Sequence, residues 1–153
     1  MPHIAFGLRR SIVALALVPV LLGCGSSTTP PAEHEEPAHV EAIAGDETRH
    51  RITLTQRAAE RLGIEVAEAT AAPGSAGSIR VPYSAVIYDA QGSAWAYIAE
   101  GPLVFVREAV TVAEVTPNET GGMAVLSQGP APGTAVVSVG VAELFGTEFE
   151  VGH

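Results

Sequence analysis

Beyond residue 50 this chain is punctuated too often for a long helix. Breakers recur at Gly63, Pro73-Gly74, Gly77, Pro82, Gly92, Gly101-Pro102, Pro117, Gly121-Gly122, Gly129-Pro130, Pro132-Gly133 and Gly140. Relative to Ala, a helix interior loses about 1 kcal/mol for Gly and about 3 kcal/mol for Pro. Short strands joined by turns fit between such breaks.

The intervals read accordingly. Arg51–Thr55 alternates as a half-buried strand. Gln56–Leu62 is a two-turn helix with Thr55 as N-cap and Gly63 as its stop. Ile64–Ala69 alternates again, acids outward. Ala71–Ser78 is a breaker-rich join. Short strands then cover Ile79–Val81, Ala85–Tyr88 and Ala94–Ala99, with Asp89-Ala90-Gln91-Gly92 as a hairpin turn. Leu103–Val115 is a long strand bent near Arg107-Glu108. Strands at Met123–Leu126 and Ala135–Val139 follow, then one helical turn at Ala142–Phe145. The fold class is therefore mainly β: a small antiparallel domain with one short helix. Trp95, Tyr97, Phe105, Val110, Val112, Val125, Val137 and Leu144 are its expected core.

The front of the chain is different. Arg9-Arg10 precedes an apolar run, Ser11–Leu22, as long as a signal-peptide core and too short to span a bilayer, which takes about 20 residues. Leu21-Leu22-Gly23-Cys24 then resembles the lipobox of bacterial lipoproteins. That resemblance implies cleavage before Cys24 and lipid on its thiol. Cys24 is the single cysteine, so no internal disulfide is available. Two or more acyl chains give stable anchoring where one does not. The expected location is the cell envelope, lipid-anchored at the periplasmic face of the outer or inner membrane.

Residues 24–49 read as a tether, rich in proline, small and charged residues and without apolar period. It carries His34 and His39, with His50 directly after it, beside Glu35, Glu36 and Glu41. Imidazole and carboxylate are competent ligands for zinc, copper or nickel, although the spacing fits no closed structural site. A weakly bound divalent cation is the one cofactor these residues suggest. The domain organisation is thus a leader over 1–23, a tether over 24–49 and a β-domain over 50–153.

Charge narrows the partners. The chain has no lysine. With Arg9 and Arg10 set aside in the leader, six arginines face seventeen acids, a formal charge of −11. Such a surface repels phosphates, so nucleic acid is not an expected partner. No HExxH, GxSxG or phosphate-cradling glycine loop is present, and an enzyme is not expected.

Three stretches together resemble the periplasmic adaptor subunits, or membrane fusion proteins, of resistance-nodulation-division efflux systems, in the heavy-metal and cation efflux branch. They are Ile52–Ile64 (ITLTQRAAERLGI), Val81–Ile98 (VPYSAVIYDAQGSAWAYI) with Phe105–Val112 after it, and Gly133–Phe149. Their order and spacing carry the resemblance, which covers most of Ile52–His153. A full adaptor inserts lipoyl halves, a helical hairpin and a barrel between the first two stretches, where only Glu65–Arg80 stands here. What remains is similar to the membrane-proximal domain. The resemblance implies a non-catalytic, lipid-anchored module that binds an efflux transporter or another adaptor, with Trp95, Tyr97 and Phe105 as candidate interface anchors. A periplasmic metal-binding lipoprotein using the His/Glu tether is the alternative, and a degenerate adaptor remnant is a third reading.

Overall fold

Local sequence explains the first elements. Thr55 accepts from the Ala58 N–H through its side chain, closing the N-terminus of a short helix, and Gly63 ends it at φ 64°. That left-handed conformation favours glycine.

The computed structural model describes residues 36–74 and 77–149. The leader, Cys24, His34 and Glu35 lie outside the described residues. The elements are β1 (Ala38–Ile43), β2 (Asp46–Leu54), α1 (Gln56–Leu62), β3 (Glu65–Glu68), β4 (Thr70–Ala71) and β5 (Ile79–Pro82). A 3-10 turn (Tyr83–Ala85) leads to β6 (Ile87–Tyr88), β7 (Ala94–Gly101), β8 (Val104–Thr116), β9 (Met123–Gln128), β10 (Ala135–Val139) and α2 (Val141–Glu148). Every strand pair is antiparallel. The domain is mainly β with short helical pieces, the class the breakers imply.

Two expectations need correction. The tether was expected to run through residue 49, but Ala38–Ile43 is a strand, paired with β2 from Ala38↔Leu54 to Ala42↔His50. Residues 38–49, nearly half of that segment, therefore belong to a hairpin. Asp46 makes its turn, accepting from Thr48 N and Oγ1 at 3.0 and 2.7 Å and from Arg49 Nε at 2.6 Å. The single turn expected at Ala142–Phe145 is the longer α2.

The strand path runs β3-β10-β7-β8-β9-β5-β4. Its two ends are one run of chain, broken only at Ala69. The Ala69 N–H donates to Thr134 O at 2.8 Å and its carbonyl accepts from Gly133 N at 2.7 Å. The path thus closes into a small barrel, with the β1–β2 hairpin branching from β8 through Ile52↔Phe105. β8 serves three partners: Val104–Val106 pair with β2, the stretch up to Val110 lies against β7, and from Thr111 it lies against β9 with register shifts. The change from β7 to β9 falls just beyond the bend expected at Arg107-Glu108.

Alternation along these strands feeds two apolar layers. Ala69, Val81, Ala96, Val110, Leu126 and Val136 fill the barrel. Their neighbours of opposite parity, Tyr97, Phe105 and Val137, face Ile52, Leu54, Ala58, Val141 and Leu144 under the helices and hairpin. Of the expected core, Trp95, Val112 and Val125 are only half-buried.

Candidate functional site

The outer layer ends in a buried ionic cluster. β7 and β8 place Tyr97 opposite Arg107. On α2, Leu144 and Glu148 stand four residues apart and so share one helical face. That face is pressed on the sheet: Leu144 is fully buried and Glu148 is 5% exposed.

Glu148 is the centre. Tyr97 donates its hydroxyl to Oε2 at 2.5 Å. Arg107 Nε lies 3.1 Å from the same oxygen, out of line for a hydrogen bond, so the contact is an ion pair. His50 Nδ1 is 3.2 Å from Oε1. Arg107 also donates to the Thr48 carbonyl at 2.8 Å, tying β8 to β2. A carboxylate in the last turn of a helix meets the negative end of the helix dipole. The guanidinium and phenol offset that cost.

Aromatic rings enclose the guanidinium. Its carbon stands 4.0 Å from the Trp95 ring centroid, 4.9 Å from Phe149 and 5.9 Å from Phe145. Phe145 and Phe149 pack at 4.8 Å between centroids. Such faces attract a desolvated cation. Trp95 in turn donates its indole N–H to Asp89 at 2.8 Å. That bond, with the Ser93 and Gln91 amides and the Arg107 charge, holds the Asp89 carboxyl below its usual range. Burial first, then the Glu148 hydrogen bond and charge, push the Tyr97 phenol well above its usual range. The cluster is chemically a latch: its groups engage one another and fasten α2 and the hairpin to the sheet.

The expected site residues are placed as follows. Tyr97 and Phe105 are 0% and 1% exposed, which corrects their reading as surface anchors. Alternation put both on an inward face, and the helices cover that face. Trp95 is half-buried and committed to Asp89 and Arg107. The tether ligands do not converge. His39 faces Thr53 across the hairpin and His50 faces Ala42, one position out of phase, so the two imidazoles lie on opposite faces. His39 contacts Glu41 at 3.1 Å, whereas His50 turns to Glu148. Glu36 is exposed. Among the described residues no group of three His, Cys, Asp or Glu is placed to hold a metal.

Arg107 and Glu148 were missed as a site. The available signal was parity: Arg107 falls on the same face as Phe105, where a charge must be paired. A surface cleft lies elsewhere, beside the β4–β5 connection, lined by Ala72, Gly74, Ile79 and Pro132 with Ser78. Among the described residues no helix is long and apolar enough to cross a membrane. Compared with protein-family models, with curated proteins and with solved structures, the chain matches none.

Proposed function

We propose that this chain is a lipid-anchored, non-catalytic adaptor-like module that works beside an efflux transporter of the resistance-nodulation-division type. In this reading Cys24 carries the lipid that keeps the β-domain at a membrane surface. The transporter, or a full-length adaptor seated on it, is the partner.

The observation that carries the reading is the meeting of the three adaptor-like stretches in one domain. Ile52–Ile64 makes the end of β2 and all of α1, Val81–Ile98 runs from β5 into β7, and Gly133–Phe149 contains β10 and α2. The strands before and after the 72–78 connection pair with each other, β3 with β10 and β2 with β8. An insertion at 72–78 would leave those ladders unbroken. That is the point where a full adaptor carries its additional domains, and a short connection closes at slightly lower entropic cost.

Tyr97 and Phe105 are core residues, so the contact surface in this reading belongs to exposed side chains. Among the described residues Val66, Tyr88, Val115, Val139 and Phe149 are the large apolar ones. Envelope cross-linking followed by mass spectrometry tests the function. The expected result is this chain joined to an inner-membrane transporter or its adaptor. Recovery of the chain without any transporter component would sink the reading. Loss of membrane association in Cys24→Ala is the expected result for the anchor.

A further inference from the structure

β1 is an edge strand: it pairs with β2 and with no other strand among the described residues. The Thr55 N–H donates to Pro37 O at 3.0 Å, while the next amide back, Leu54, donates the other way to Leu103 O at 2.9 Å. Hydrogen-bonded and non-bonded pairs alternate along an antiparallel ladder. With 37↔55 bonded, His39↔Thr53 and Glu41↔Arg51 are the bonded pairs of this register. The amides and carbonyls of Ala38, Val40 and Ala42 therefore point away from β2, along an edge open to another strand.

We propose that this edge pairs with the same edge of a second copy of the chain, antiparallel, about a two-fold axis at Val40. The outward groups belong to even-numbered residues, so an allowed register sets even against even. Val40 then faces Val40 of the second copy, and Ala38 faces Ala42. On the other surface His39 faces Glu41 of the second copy, and Glu41 faces its His39. These two side chains already meet within one strand at 3.1 Å, so their chemistry is matched and their reach sufficient. Complementary side chains directly opposite stabilise a strand pair, and like charges destabilise it. The sequence Ala-His-Val-Glu-Ala is complementary to itself when reversed, which an isologous interface requires.

Three further strands have a single strand partner among the described residues, and none has this property. β4 and β6 are the uncharged pairs Thr70-Ala71 and Ile87-Tyr88. β3, paired with β10 alone although its chain runs on into β4, is Glu65-Val66-Ala67-Glu68, with two acids and no base. None has opposite charges with which to match itself. The second copy is thus specified at β1 by charge pattern and by hydrogen-bond parity together. Five facing positions make a small interface, below the roughly 1,000 Å² of a stable one. Association is weak in dilute solution and rises when copies are confined together.

The test uses the full chain with Cys24→Ser, so that one introduced cysteine is the only thiol. Opposed residues of a bonded pair have Cα atoms about 5.5 Å apart, within the reach of a disulfide, about 4.4–6.8 Å. Under mild oxidation Val40→Cys should form linked dimers, and Val66→Cys, on the β3 edge, about tenfold fewer. His39→Glu should weaken self-association about tenfold by sedimentation, because it sets acid against acid twice. The swap His39→Glu/Glu41→His should restore it. Equal cross-linking at 40 and 66, unchanged association in His39→Glu, or a swap that fails to restore would each overturn the proposal. Coverage of the edge by the chain's own N-terminal residues would leave the Val40 cysteine monomeric and overturn it equally. This inference is independent of the efflux reading, since neither the lipid nor a transporter enters the experiment.

Discussion

Tyr97 and Glu148 are 51 residues apart in sequence, and the phenol of one donates to the carboxylate of the other at 2.5 Å inside the domain. That length is typical of a charge-assisted bond. Around it Arg107, His50 and three aromatic rings complete the latch that holds α2. The energetic weight of such a cluster lies in its completeness. Each partner removed strands another away from water.

Tyr97→Phe removes one donor and keeps the ring. It should cost about 1–3 kcal/mol, the penalty for an under-satisfied buried carboxylate. Glu148→Ala should cost more, about 3–5 kcal/mol, because it leaves the Arg107 guanidinium buried without a counter-charge. The double change Arg107→Met/Glu148→Met should recover most of that loss. Urea unfolding of the four chains checks the order. A double variant no better than Glu148→Ala would show that packing, and not unpaired charge, dominates here.

Gly140→Ala should be among the most damaging small changes in the domain. Gly140 opens α2 at φ 86°, a conformation that side chains rarely adopt. A Cβ there would also collide with the Ile64 side chain. Ser138→Ala, on the half-buried strand just before, is the control and should stay within about 0.5 kcal/mol. Thermal melts distinguish them, and equal midpoints would contradict the fold around Gly140.

Acid should loosen the β1–β2 turn before the rest of the domain. The Asp46 carboxyl is held far below its usual range, first by the Thr48 hydroxyl, then by Arg49 and the Thr48 amide. A depressed folded-state value means that the stabilisation is present above the ordinary carboxylate range, near pH 4, and is lost as pH falls toward the folded-state value. Asp89 is shifted in the same direction. Protection of the Thr48 amide, its exchange rate taken relative to the intrinsic rate at the same pH, should therefore fall on acidification, and Asp46→Asn should show low protection at neutral pH already. Protection at Thr48 identical in Asp46→Asn and the parent chain would refute this.

Alkali acts through Tyr97. Its phenol is raised by burial and by Glu148, so the folded state resists ionisation while the unfolded chain ionises near pH 10. The stability present below that pH should drain away above it. Tyr97→Phe should be less steeply destabilised between neutral pH and alkali than the parent. A parallel pair of stability profiles would be the contrary outcome.

The sequence disclosed what is settled locally. Thr55 and Gly63 lie within a few residues of the groups they cap, so α1 could be read with its boundaries. Asp89 accepts from the Gln91 and Ser93 amides within its own turn, and that hairpin was legible for the same reason. β1 was not. Ala-His-Val-Glu-Ala-Ile is short and interleaved with charge, and it becomes a strand because β2 and the outer apolar layer receive it. Glu148 was hidden in the same way. One acid near a polar tail carries no local mark, and only the strand register that sets Tyr97 beside Arg107 makes it a counter-ion.

β8 belongs to both apolar layers, and this shapes how the domain comes apart. Val110 faces the barrel and Phe105 the helical layer, on one uninterrupted strand. Neither half can fray without withdrawing a wall from the other. Slow amide exchange should report a single opening event for both, as in a cooperative unit. A force applied through the residues ahead of β1 would load this strand by way of β2, so mechanical resistance is set by one ladder in the middle of the molecule.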